Sequence, residues 1–127
     1  MNRLKRWLYK WLPIIMGCHC RPDRSFHWRG RPFPVCARCT GQLAGALAVP
    51  LALWAGHPPV PVLFALALPM VLDGVIQLKT SYESTNLRRF WTGFLFGYSV
   101  LTLFVLSHIA TFRFGRSLGR QLKSGAP

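Results

Sequence analysis

All four cysteines of this chain fall between positions 18 and 39: Cys18, Cys20, Cys36 and Cys39, with His19 between the first two. Thiolates and a neutral imidazole are the ligands zinc prefers, and the arrangement C-H-C-x15-C-x2-C approaches the two-knuckle spacing of structural zinc sites. The first half is Cys-His-Cys rather than Cys-x-x-Cys, so spacing alone leaves the set of ligands open. Four protein ligands would close a tetrahedral shell and make the metal structural, whereas three would leave a position for water and a Lewis-acid role. Cys36-Ala37-Arg38-Cys39 also has the C-x-x-C spacing of thiol oxidoreductases, in which a helix N-terminus and a nearby Arg lower a thiol pKa. No thioredoxin-like βαβ pattern surrounds it. Zinc binding is therefore the leading expectation, with redox chemistry on the Cys36/Cys39 pair as its rival and unliganded buried thiols as the plain alternative.

A second group of polar residues lies further along. Asp73 and Gln77 stand one helical turn apart in an otherwise apolar block, where a carboxylate is costly unless it is paired or lines a wet cavity. Asp73 is thus a candidate for a ligand or a reaction, and equally for an ion pair with Arg38, Arg88 or Arg89. Downstream, Glu83 and Asn86 precede the next apolar block, and Ser84 or Thr85 can cap its helix. Asp73, Gln77, Glu83, Asn86 and Arg38 would then converge with the thiols at one membrane face, at the depth of a lipid headgroup. His27 and His57 read as loop residues and His108 as a helix-packing residue, so all three stay outside the site.

Positioning these groups falls to apolar blocks too long for a soluble core. Of the 127 residues 51% are hydrophobic. No Asp, Glu, Lys or Arg occurs between Cys39 and Leu72, or from Phe90 to Phe112. A bilayer span takes roughly 20 apolar residues. The pattern predicts an all-α membrane protein with three transmembrane helices, over 39–55, 60–78 and 90–112, in a single membrane domain. Pro50 should bend the first span, Gly56-His57-Pro58-Pro59 makes a tight turn, and 113–127 is a basic tail. Ahead of the spans, 3–16 mixes basic residues with Trp7, Leu8, Trp11 and Leu12 at near-helical spacing, the pattern of an amphipathic helix lying in the interface. A Cys/His-rich loop over 17–38 follows, punctuated by Pro22, Pro32 and Pro34. A cleaved signal peptide is not expected, because an Arg-rich segment follows Cys20 where a small-residue cleavage site would stand.

The formal net charge of +13 would suggest nucleic acid in a soluble protein. Here the basic residues flank the spans, which points to anionic lipid headgroups at the N-terminal region and excludes nucleic acid as a partner. Nine basic residues precede the first span, three lie between the second and third, and four follow the third. With three spans this sets twelve charges against four and predicts a multi-pass protein of the cytoplasmic membrane with its N-terminus in the cytoplasm. A cytoplasmic face keeps thiols reduced and favours metal over disulfides. Gly41-x-x-x-Gly45 and Gly93-x-x-x-Gly97 predict close packing of the first and third spans. They also leave open a membrane-protein partner or a second copy of the chain, in which case the protein would be a non-enzymatic accessory subunit of a larger complex.

Taken in order, Cys18-His19, Arg24-Ser25-Phe26, Cys36-Ala-Arg-Cys39-Thr-Gly41, Asp73-Gly74 with Gln77, Glu83-Ser-Thr-Asn86 and Gly93 resemble the signature of a family of small prokaryotic predicted membrane proteins of unknown function. The resemblance implies a three-to-four-helix membrane fold and a common constellation of Cys18, His19, Cys36 and Cys39. Cys20 departs from the pattern, which ranks it below the other three cysteines as a ligand and leaves a Cys3His site.

Overall fold

The computed structural model describes residues 2–125. Its elements are α1 (Arg3–Ile15), a 3-10 turn (Pro22–Arg24), β1 (His27–Trp28), β2 (Arg31–Pro32), α2 (Ala37–Ala55), α3 (Val60–Lys79) and α4 (Asn86–Ser124). The helices α2, α3 and α4 form the body. Short links reverse the chain after α2 and again after α3, and α4 packs against both α2 and α3. The start of α2, the end of α3 and the start of α4 therefore meet at one end of the bundle.

The contact between α2 and α4 is written in glycine. A Cβ at Gly41 would overlap the carbonyl oxygen of Phe90, and one at Gly45 that of Phe94. In return, a Cβ at Gly93 would overlap the Arg38 carbonyl and one at Gly97 the Gln42 carbonyl. The two small-x-x-x-small faces thus interlock with each other within the chain, and backbones approach as only paired glycines allow.

Burial in this protein is inverted. The fully buried apolar residues are Val35, Ala37, Val49 and Leu63, whereas Ser25, Asp73, Ser84, Arg89, Thr92, Ser99 and Thr102 are also buried. Phe64, Val71, Leu72 and Leu78 on α3, and Phe104 and Phe112 on α4, point outward. Ser99 and Thr102 hydrogen-bond the carbonyls of Leu95 and Tyr98 within their own helix, so their hydroxyls need no water. A polar interior under an apolar exterior is what an apolar medium selects.

Two helices among the described residues, α3 and α4, are long and apolar enough to cross a membrane. Three spans were expected, and α2 does not join these two because Arg38, Thr40 and Gln42 occupy its opening turns. The basic tail expected over 113–127 is not a separate segment as far as it is described: α4 continues through it to Ser124. Nothing between Phe112 and Ser124 breaks the hydrogen-bond ladder, and its Arg and Lys residues are good helix formers that suit a helix C-terminus.

At the other end of the chain, α1 buries none of its residues. It is tied to the bundle's headpiece by a hydrogen bond from Tyr9 to the Pro32 carbonyl, 2.9 Å long. Between α1 and α2 the expected loop contains a minimal hairpin, with Trp28 opposite Arg31 and positive φ at both Arg29 and Gly30. Two positive φ angles in a two-residue connection make the turn whose twist matches paired strands.

Candidate metal centre and polar pocket

Cys18 is delivered by the end of α1. Gly17 has φ +59°, its N–H bonds the Ile14 carbonyl (3.2 Å), and the Cys18 N–H bonds the Pro13 carbonyl (2.9 Å). This is a Schellman termination, which needs a left-handed residue just after the helix and turns the chain sharply. Cys36 is the N-cap of α2, and Cys39 follows one turn later.

The three sulfurs of Cys18, Cys36 and Cys39 lie within 4.8 Å of one another, an arrangement that can hold a metal ion. Cys36 and Cys39 are 3.5 Å apart, and the Cys36 N–H donates to the Cys18 sulfur at 3.2 Å. Tetrahedral ligation at zinc–sulfur distances puts sulfurs about 3.8 Å apart, so only small adjustments separate this geometry from a bound one. The Cys36 thiol is pulled down to about 5, first by the hydrogen bond from Cys39, against its own burial, and then by the N–H groups of the opening turn and by Cys18. Those N–H groups favour the anion without closing a formal capping bond.

Cys20 stands apart. A φ of 47° turns it outward, where its sulfur meets the carbonyls of Cys18 and Pro34 at 3.5 and 3.6 Å, and its thiol is pushed up by desolvation and by Cys18 beside it. His19 is exposed and does not belong to the three-sulfur cluster, though both His19 and the cluster line one cavity of about 460 Å³.

Behind that cavity sits a buried network. Oδ2 of Asp73 accepts from Arg38 Nη2 (2.8 Å), Gln77 Nε2 (2.8 Å) and Ser84 Oγ (3.2 Å), while Oδ1 faces Arg88 Nε at 3.7 Å. Gln77 also donates to Ser84 at 2.7 Å, and Arg89 Nε reaches the same hydroxyl at 3.1 Å. One carboxylate thereby joins α2, α3 and α4. Glu83 is exposed and pairs with Arg24 at 3.1 Å, and Asn86 donates to the Ser25 carbonyl at 3.4 Å. Together with the edge-to-face contact of Phe26 on Phe90, these bonds clamp the Arg24-Ser25-Phe26 segment onto the start of α4.

Of the residues singled out by sequence, Arg38, Asp73 and Gln77 come together directly, and Glu83 and Asn86 act one step out through the loop. Sequence reasoning offered Ser84 as a helix cap and Arg89 as an ion-pair partner of Asp73; both are instead buried members of the network, bonded to each other. Thr85 is the actual cap, accepting from the Arg88 N–H at 3.3 Å, which frees Ser84 to turn inward. The signal that could have found Arg89 is its place one helical turn before Gly93, on the side of α4 that meets α2. His108 bonds the Phe104 carbonyl far from this end, and His57 bonds the Pro58 carbonyl at the opposite one.

Comparison with known proteins gives a consistent placement. The DUF2085 family, described as predicted membrane protein, matches residues 18–103. An uncharacterised protein of Methanothermobacter thermautotrophicus is 45% identical over 101 residues, covering 72% of this chain and 88% of its own. Another, from Methanocaldococcus jannaschii, is 38% identical over 91 residues, covering 66% of this chain and 58% of its own length. No solved structure matches the chain.

Proposed function

The chain belongs to the DUF2085 family of predicted membrane proteins, and we propose that it is a three-span protein of the cytoplasmic membrane carrying a zinc centre on Cys18, Cys36 and Cys39 at its cytoplasmic face. The observation that carries the reading is the convergence of three sulfurs within 4.8 Å, delivered by two separate segments. A dithiol redox site needs two. The third sulfur and the N–H aimed at it are what a soft metal uses, the N–H serving as an outer-shell partner. His19 lines the same cavity as the three sulfurs and would complete a Cys3His shell by moving toward them. The third span is α2: its 19 residues are about 28 Å long, close to the roughly 30 Å hydrocarbon core, which sets Arg38 and Gln42 at its start near the headgroup region. Anionic headgroups are the natural partners of the basic α1.

The experiment is elemental analysis of protein purified in detergent under reducing conditions without added metal. About one zinc per chain is expected, lost in Cys36→Ser and Cys39→Ser and kept in Cys20→Ser, with folded yield falling alongside the metal because ligation energy is folding energy. Metal-free wild-type protein with all thiols freely alkylated would sink the reading. The rival, redox chemistry at Cys36 and Cys39, draws on their 3.5 Å separation and the lowered Cys36 thiol. It would be favoured by a Cys36–Cys39 disulfide in the metal-free protein that forms and reduces reversibly.

A further inference from the structure

All three acidic residues of the chain sit in ion pairs at the site end, Asp23 and Glu83 with Arg24 and Asp73 with Arg38 and Arg88. Even so, the cavity beside the sulfurs is lined by Arg21, Arg24, Arg38 and Arg89 and, among the described residues, by no carboxylate. Asp73 lies behind the lining, where it holds Arg38 and Gln77 in position.

Arg89 is 5% exposed, and its Nη2 is buried without a hydrogen-bond partner. The Nε atoms of Arg38 and Arg24 are likewise buried without a hydrogen bond, that of Arg24 with only the Asp23 carboxylate at 3.7 Å. An unsatisfied guanidinium donor away from water costs free energy that a folded protein ordinarily avoids. Three such donors on residues lining one cavity ask for a multivalent acceptor there. Ser84 uses only one edge of Arg89, at Nε, so the other edge is left for a ligand.

We infer that this cavity binds a phosphate group, with Arg24, Arg38 and Arg89 supplying the guanidinium donors and Gln42 a neutral one. Planar guanidinium groups match a tetrahedral oxyanion two oxygens at a time, and several around one cavity suit a dianion better than a single carboxylate. The site lies where three helices end and the apolar flank of α3 begins, so the phosphate is either a free ion from the aqueous side or the headgroup of a phosphomonoester lipid whose chains follow that flank. The inference rests on the membrane-face placement proposed above and not on the metal.

The test uses full-length protein in detergent, followed by the thermal midpoint of its tryptophan fluorescence. Inorganic phosphate at millimolar concentration should raise the midpoint by roughly 3 °C or more over sodium chloride of equal ionic strength. In a parallel arm, nanodiscs containing phosphatidic acid should do the same relative to phosphatidylcholine alone. Protection by phosphate identifies the free ion as sufficient, and protection by phosphatidic acid alone assigns the lipid. Arg89→Gln should abolish the shift. Because that change also disturbs Ser84, the more peripheral Arg24→Gln is measured beside it and should need at least tenfold more phosphate for the same shift. No protection in either arm, or equal protection in wild type and both variants, overturns the inference. Zinc is measured on the same samples: protection without zinc leaves the phosphate site standing while the metal reading falls, and zinc without protection does the reverse.

Discussion

Asp73 is 2% exposed and concentrates three hydrogen bonds on one oxygen. Its partners come from α2, from α3 itself and from the loop before α4, so its charge serves as the junction of the bundle's polar end. Removing one member of a buried pair leaves the other uncompensated, which typically costs 3–5 kcal/mol. Arg38 is partly exposed and can recover some hydration, so a loss of about 3 kcal/mol is expected for Asp73→Asn. Thermal unfolding in detergent reads it, and Arg38→Gln in the same background should recover part of the loss. Full stability in Asp73→Asn would show that the carboxylate is kept for a ligand rather than for the fold.

The elements meet through the paired glycines of α2 and α4, and this contact sets the distance between Cys39, Arg38 and the α4 side of the cavity. Gly93 lies against the Arg38 carbonyl itself, so a side chain there pushes directly on the turn that carries the metal-ligand candidate and the Asp73 partner. Gly93→Ala should destabilise by about 1–3 kcal/mol, the usual range for overpacking, and should lower retained metal in parallel. Gly74 offers the control: it is helical, and a Cβ there would meet nothing within 4 Å. Gly74→Ala should be neutral or stabilising by up to about 1 kcal/mol, from helix propensity alone. Equal loss in both variants would mean that glycine flexibility, not close approach, is what the bundle needs.

Over the whole molecule, length and charge decide placement. At 39 residues, α4 is about 58 Å long, nearly twice the roughly 30 Å hydrocarbon core, so its basic C-terminal portion reaches well beyond the other helices. The same helix therefore carries both a candidate span and a cationic extension. On the proposed three-span topology, twelve basic residues on one side against four on the other predict that the site end faces the cytoplasm. A membrane-impermeant maleimide applied to intact cells should then label Cys introduced at His57 and spare Cys introduced at Ser81, both resolved by peptide mass. Labelling of the Ser81 position alone would invert the protein and move its thiols to an oxidising side.

Local pattern was enough to mark the apolar α3 and α4, the glycine faces, and the residue types at the site, because hydropathy, small-residue spacing and ligand chemistry are all read over a few turns of chain. Cys18, Cys36, Cys39, Arg38, Asp73 and Gln77 were visible for that reason. Only the tertiary structure decided which of them touch. The left-handed Gly17 brings Cys18 back onto the start of α2, the turn at Cys20 sends that thiol away, and His19, adjacent in sequence, stays on the rim. Thr85 takes the cap and sends Ser84 inward, while Arg89 rather than Arg88 is the one buried. These choices depend on φ angles and on which side of a helix faces its neighbour, quantities fixed only when segments distant in sequence pack against one another.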